Sequence, residues 1–143
     1  MMNNTEVIGL AKRAVSLPGW RWMPGMRIVD PHGIGGFIVL AEGGEWKVCN
    51  RAGSSWLSAQ EIGACLPDLS DPAVGGVLLD MLGEQGGMGT GVWFVGATAG
   101  AFGWTARRPG ESPAEAVGRT GLLSLAEACV FVAVDLGGWP EAS

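Results

Sequence analysis

Between Met26 and Asn50 the chain sets three short runs, MRIVD, GFIVLAE and EWKVCN, around two glycine-bearing breaks, PHGIGG and GG. Short runs rich in Val, Ile, Phe and Trp, bounded by Gly, Pro and Asp, read as strands. Breaks this brief join neighbours in an antiparallel sheet, and Glu42-Gly43-Gly44-Glu45 is the tighter hairpin signal of the two. A three-stranded meander near the start is therefore the element around which the remaining sequence has to pack.

Helices flank it. In TEVIGLAKRAV, the residues Val7, Ile8, Ala11, Ala14 and Val15 follow helical spacing behind Asn4 or Thr5, which predicts a helix over 6–15 that Pro18 and Gly19 end. Residues 51–70 read mostly as loop, with a capping box from Ser58 to Glu61 that can start one short turn. Asp71-Pro72 is a stronger start: the carboxylate accepts from free N–H groups and the proline presets φ, so a helix should run to about Gln85 and stop at Gly86 and Gly87. Two further strands follow, GVWFVGA and AFGWTAR, turning near Thr98 to Gly100.

Ser112 to Glu115 and Ser124 to Glu127 are two more capping boxes. The second opens LAEACVFVAVDLGG, a helix apolar on nearly every side, which suits a position between a sheet and another surface such as a second subunit; a closed homo-oligomer is the expectation. Gly137 and Gly138 stop it and Trp139-Pro140 begins a short tail. The order α-βββ-α-ββ-α predicts one α+β domain over 1–143, with an antiparallel sheet of about five strands and its helices packed on one face.

Composition narrows the function classes. With 143 residues, 48% apolar and 16% charged, the chain has the makings of one folded core. No apolar run approaches the ~18 residues of a membrane span, and Asn3, Asn4, Thr5 and Glu6 open the chain without a secretory pattern, so an intracellular location and no membrane partner are expected. A net charge of −5 disfavours a nucleic acid polymer as partner. Cys49, Cys65 and Cys129 form no CxxC and His32 is the sole histidine, so neither a zinc site nor a disulfide framework is expected. Asp80 and Glu84 read as a solvated helical face, Asp71 as a cap, and Ser54 and Ser55 lack a nearby base. The glycines of 33–36 and 86–91 lack the lysine and setting of a phosphate loop. No cofactor and no turnover follow from this pattern.

Seven tryptophans without one tyrosine exceed what a small core needs, so some should sit at a surface or pocket rim. They concentrate in GWRWMPGM, residues 19–26. Trp22 and Met23 read as core plugs. Trp20 with Arg21 has two readings: a corner packed against the sheet, or a site in which Trp20 or Trp22 stacks on a flat base while Arg21 or Arg27 pairs with phosphate. Arg107 and Arg108, before Pro109-Gly110, are either a solvated strand end or a second anion clamp.

GWRWMPGM behind an amphipathic helix, the motif Leu66-Pro67-Asp68-Leu69 followed by Asp71-Pro72, a Gly- and Trp-bearing strand pair ending near Gly103-Trp104, and an alanine-rich last helix resemble a group of small phage and prophage proteins. The element order is similar to that of the phage ABA-sandwich domain. The last helix departs from the pattern in being more apolar. The resemblance implies a phage accessory protein working in the host cytoplasm. By analogy with phage anti-defence proteins, the expected function is non-enzymatic sequestration of a small nucleotide-derived immune signal, such as a cyclic nucleotide or a cyclic ADP-ribose isomer, held by Trp20, Arg21, Trp22, Arg27, Arg107 and Arg108. The alternative is an acidic protein inhibitor of a host defence complex, comparable to an anti-CRISPR.

Overall fold

Asn3 starts the first helix by accepting the Glu6 N–H at 2.9 Å, and α1 then runs Asn4–Ser16 with Leu10, Ala11 and Ala14 turned to the core. The computed structural model describes residues 2–86, 91–95 and 103–140. The meander follows as β1 (Arg27–Val29), β2 (Gly35–Glu42) and β3 (Glu45–Asn50). Gly43 and Gly44 both take positive φ, which is what a tight two-residue hairpin between β2 and β3 requires. A bulge between Ile38 and Leu40 bends β2.

Two strands within 51–70, a stretch whose sequence reads mostly as loop, complete this sheet. β4 (Gly53–Leu57) pairs with β3, and β5 (Leu66–Pro67) pairs with β1, giving an antiparallel sheet of five strands in the order β4-β3-β2-β1-β5. Between them lies α2 (Ala59–Ile62), begun by the expected Ser58–Glu61 capping box. β6 (Gly91–Val95) and β7 (Gly103–Arg107) pair with each other as a separate two-stranded sheet, and their expected turn at 98–100 lies outside the described residues.

α3 spans Pro72–Leu82 behind the Asp71 cap and gives way to a 3-10 turn over Gly83–Gly86, a few residues short of the expected end. α4 (Pro113–Thr120) and α5 (Leu125–Leu136) begin at the other two capping boxes. Ile28, Ile38 and Val48 point from the sheet into the core shared with Leu78, Leu82 and Cys129, whereas Phe37, Val39, Leu40 and Trp56 remain exposed. The helices thus cover one face of the five-stranded sheet and leave the other open.

α5 packs against α3, α1, β6 and β7 of the same chain, so most of its apolar circumference is covered without a second subunit and only Leu136, at its end, is exposed among its large apolar residues. That removes the reason for expecting an oligomer through this helix. Two further expectations change. Met23 is exposed, and Met26, whose side chain has no solvent access, is the plug. Trp139 is no tail residue: it is buried in the core, with its N–H donating to the Pro18 carbonyl at 2.8 Å.

Candidate functional site

The candidate site is a cleft of about 1150 Å³ between α1, the β1–β2 turn, β5 and the start of α5. One wall is the outer stripe of α1, where Val7, Ile8, Ala11, Lys12 and Val15 recur at helical spacing. Leu66, Leu122 and Leu123 face it. The floor is held by backbone pairing: Leu66 and Pro67 register with Val29 and Ile28, and the Asp68 N–H donates to the Arg27 carbonyl at 2.9 Å.

Most polar groups of the lining serve the frame. Asp30 Oδ1 accepts from the N–H groups of His32 and Ile34 at 2.9 and 2.8 Å and so closes the β1–β2 turn. Asp68 Oδ1 accepts from Ser70 Oγ at 2.6 Å and the Ser70 N–H at 3.0 Å, while its Oδ2 stands 3.5 Å from Arg27 Nε. Ser124 Oγ donates to the Leu69 carbonyl at 2.7 Å, which ties the start of α5 to the segment after β5. The Glu127 carboxylate accepts the Ser124 N–H at 2.7 Å. Lys12 is exposed and has no ion-pair partner among the described residues.

Cys65 lines the cleft, but burial first and the nearby Asp30 charge second raise its thiol pKa, so it stays protonated and poorly nucleophilic at neutral pH. Among the described residues no group of three or more His, Cys, Asp or Glu is placed to hold a metal ion. The arrangement can enclose an apolar body by burial and orient it with a few polar groups, one of them a free ammonium.

None of the six residues expected from the sequence to bind a ligand lines this cleft. Trp20 packs edge-on against Trp22 and Trp139 with ring centroids 5.2 and 5.6 Å apart, and its buried Nε1 has no hydrogen-bond partner among the described residues. Arg21 Nη1 donates to the carbonyls of Pro140 and Gly19 at 2.9 and 3.3 Å. The Trp22 carbonyl accepts from Trp46 Nε1 at 2.9 Å. Arg27 stands over the Phe37 ring at 5.1 Å beside Asp68, and Arg107 over the Trp93 ring at 4.9 Å. Arg108 forms a two-pronged pair with Asp135 at 3.1 and 3.2 Å. GWRWMPGM is thus an aromatic corner joining the end of α1 to the chain's last described residues, and Arg107 and Arg108 belong to the separate β6–β7 hairpin.

Of the cleft residues, Leu66 to Leu69 stand out in the sequence, but as a motif of resemblance and not as a site; the rest belong to ordinary helix faces, turns or caps that only the fold assembles. Compared with protein-family models, with curated proteins and with solved structures, the chain matches none. Among the described residues no helix is long and apolar enough to cross a membrane.

Proposed function

We propose that this chain is a binding protein that acts without turnover and holds a small organic ligand in the cleft beside α1. The observation that supports this reading is the cleft itself: its volume of about 1150 Å³ is somewhat more than the ~300 to 1,000 Å³ of most small-molecule sites, room enough for such a ligand, and its lining is mostly apolar with few polar groups. Taken with the phage resemblance, the ligand is a small signal made by the host and removed by sequestration.

The lining argues for a ligand class. Val7, Ile8, Leu66, Leu122 and Leu123 suit a flat or aliphatic body, while Asp30, Asp68 and Glu127 outnumber Lys12 as charges. A compound with several phosphates would meet like charges there, so a neutral or singly charged signal fits better. A phosphate at Arg21, Arg27 or Arg108 would first have to displace the Gly19 and Pro140 carbonyls, Asp68 or Asp135, and a base at Trp20 or Trp22 would have to part their edge-on contact.

Native mass spectrometry of the protein taken from cells producing defence signals tests the reading. A retained mass of several hundred daltons is expected, lost in Ile8→Asp, which alters an exposed cleft residue and no core contact. A panel of cyclic di- and trinucleotides and cyclic ADP-ribose isomers, titrated by calorimetry, separates the ligand classes. Failure of any small molecule to bind below about 10 μM, or ~7 kcal/mol, ends the sequestration reading.

A second reading, inhibition of a host protein by surface contact, is favoured by one observation. The open sheet face presents Phe37, Val39, Leu40 and Trp56 at 40%, 49%, 42% and 43% exposure, an apolar patch of the kind that marks interaction surfaces. Binding of a host protein that is lost in Phe37→Ser with the cleft intact would support it.

A further inference from the structure

We propose that the edge strand β4 pairs with β4 of a second copy of this chain, antiparallel and about a two-fold axis through Ser55, so that the five-stranded sheets of two copies become one continuous sheet. β4 closes its hairpin with β3 through the two-residue turn Arg51-Ala52, with Asn50 opposite Gly53. Bonded and non-bonded pairs alternate along an antiparallel ladder. From that closing pair, Gly53, Ser55 and Leu57 direct their N–H and C=O groups to β3, and Ser54 and Trp56 direct theirs to the open edge. No other hydrogen bond reaches the backbone of Ser54 or Trp56 among the described residues.

An exposed edge of this kind is a template for another strand, and proteins that avoid pairing protect it with a proline, a charge, a bulge or a covering element. Gly53–Leu57 carries no proline and no charge, its register with β3 runs without a shift, and Gly53 to Trp56 are all exposed.

What commits the edge to a second copy is that it complements itself. Ser54 and Trp56 stand symmetrically about Ser55, so a two-fold there sets Ser54 of one copy opposite Trp56 of the other, twice, and both residues of each pair can exchange N–H···O=C bonds. The sizes match, since each large, exposed Trp56 lies across from a serine. Charge does not oppose the pairing: Gly53–Leu57 is uncharged, and the exposed Arg51 and Glu61 that flank it carry opposite signs, so an antiparallel arrangement brings the Arg51 end of one strand toward the Glu61 end of the other.

Cross-linking in a Cys49→Ser background tests the register. On the two-fold, Ser55 faces its own copy as a non-bonded pair with Cα atoms ~4.5 Å apart, inside disulfide range, whereas the two Ser54 residues are beyond the ~7 Å limit. Ser55→Cys should therefore form a covalent dimer under mild oxidation and Ser54→Cys should not. Sedimentation of the unaltered protein at micromolar concentration should give twice the 14.8 kDa chain mass. Trp56→Pro, which removes one edge N–H and no bond to β3, and Ser55→Lys, which sets like charges face to face, should each halve that mass. If Trp56→Pro fails to fold, Ser55→Lys decides. A monomeric unaltered protein, a dimer that survives Ser55→Lys, or equal cross-linking of Ser54→Cys overturns the proposal. So does capture of an unrelated strand by a protein that stays monomeric.

Discussion

Trp139 Nε1 donates to the Ala14 carbonyl at 3.0 Å, so a residue near the end of the chain satisfies one of the carbonyls that the last turn of α1 leaves open. The same indole abuts Trp20, and the Trp139 N–H reaches the Pro18 carbonyl. Gly19 and Gly138 make the approach possible: a Cβ on Gly19 would overlap the Trp139 carbonyl oxygen, and one on Gly138 would come within 2.9 Å of the Pro18 oxygen. The aromatic corner is a clasp between the two ends of the fold. Trp139→Ala should cost ~3 to 5 kcal/mol by cavity formation, and Trp139→Phe, which keeps a ring but deletes the donor, ~1 to 3. Denaturant melts of both variants check the order.

Glu111 and Arg119 predict an acid limb. Arg119 Nη2 and Nε donate to the two Glu111 carboxylate oxygens at 2.9 and 3.1 Å, and Nη2 also donates to the Ala106 carbonyl at 2.7 Å. The hydrogen bonds from Arg119, with a further one from the Arg108 N–H, lower the Glu111 pKa from an ordinary 4.5 to about 2. Because the folded value is depressed, the folded state is stabilised above the unfolded value, and that gain fades as pH falls through 4.5 toward 2. Glu111→Gln should melt lower than the unaltered protein at pH 7, with the gap closing as pH approaches 2. Thermal melts across that range would show it, and a gap independent of pH would contradict it.

The thiols should separate kinetically. Burial pushes the Cys129 thiol up to about 12, and Cys65 is raised as well, so neither supplies thiolate at neutral pH. Cys49 is only partly buried, on β3. An alkylating reagent at pH 8 should modify one thiol per native chain at Cys49, and all three once the protein is unfolded. Peptide mapping after labelling reads this directly, and early modification of Cys129 would place local opening in α5.

The three longer helices were legible because their starts are local chemistry: Asn3 next to the expected Asn4 or Thr5 cap, Asp71-Pro72, and the Ser124 to Glu127 box each bind backbone groups within three residues. β4 was not, since Gly-Ser-Ser-Trp-Leu has neither alternation nor β-branched residues and becomes a strand only by pairing with β3. Nor could any local pattern assign β6 and β7 to their own sheet, because sheet membership is decided by partners distant in sequence. The site shows the same division. The crowding of tryptophan and arginine in 19–27 was evident, but the group that occupies Arg21 is a carbonyl 119 residues away. The cleft is drawn from residues spread over α1, the β1–β2 turn, 63–70 and 122–127, each with an unremarkable local role.

Two neighbouring glycines of α3 should respond with opposite signs to the same substitution. Alanine is a better helix former than glycine by ~1 kcal/mol, and at Gly76, where an added Cβ meets nothing within 4 Å, Gly76→Ala should stabilise the protein by ~0.5 to 1 kcal/mol. Gly75 faces α5. A Cβ there would stand 2.8 Å from Leu125 Cβ and 2.9 Å from its Cγ, and the Gly75 carbonyl accepts a weak bond from Cys129 Sγ at 3.9 Å. To accept a methyl group α3 and α5 would have to part along their contact, and overpacking of this kind costs ~1 to 3 kcal/mol, which outweighs the gain in propensity. Gly75→Ala should therefore destabilise, and Leu125→Ala should relieve it in part in the double variant, since it removes Leu125 Cγ and Cδ2 from the contact but leaves the Cβ at 2.8 Å. A double-mutant cycle from urea melts measures the coupling. Additive effects of Gly75→Ala and Leu125→Ala would mean that the helices do not meet at this point.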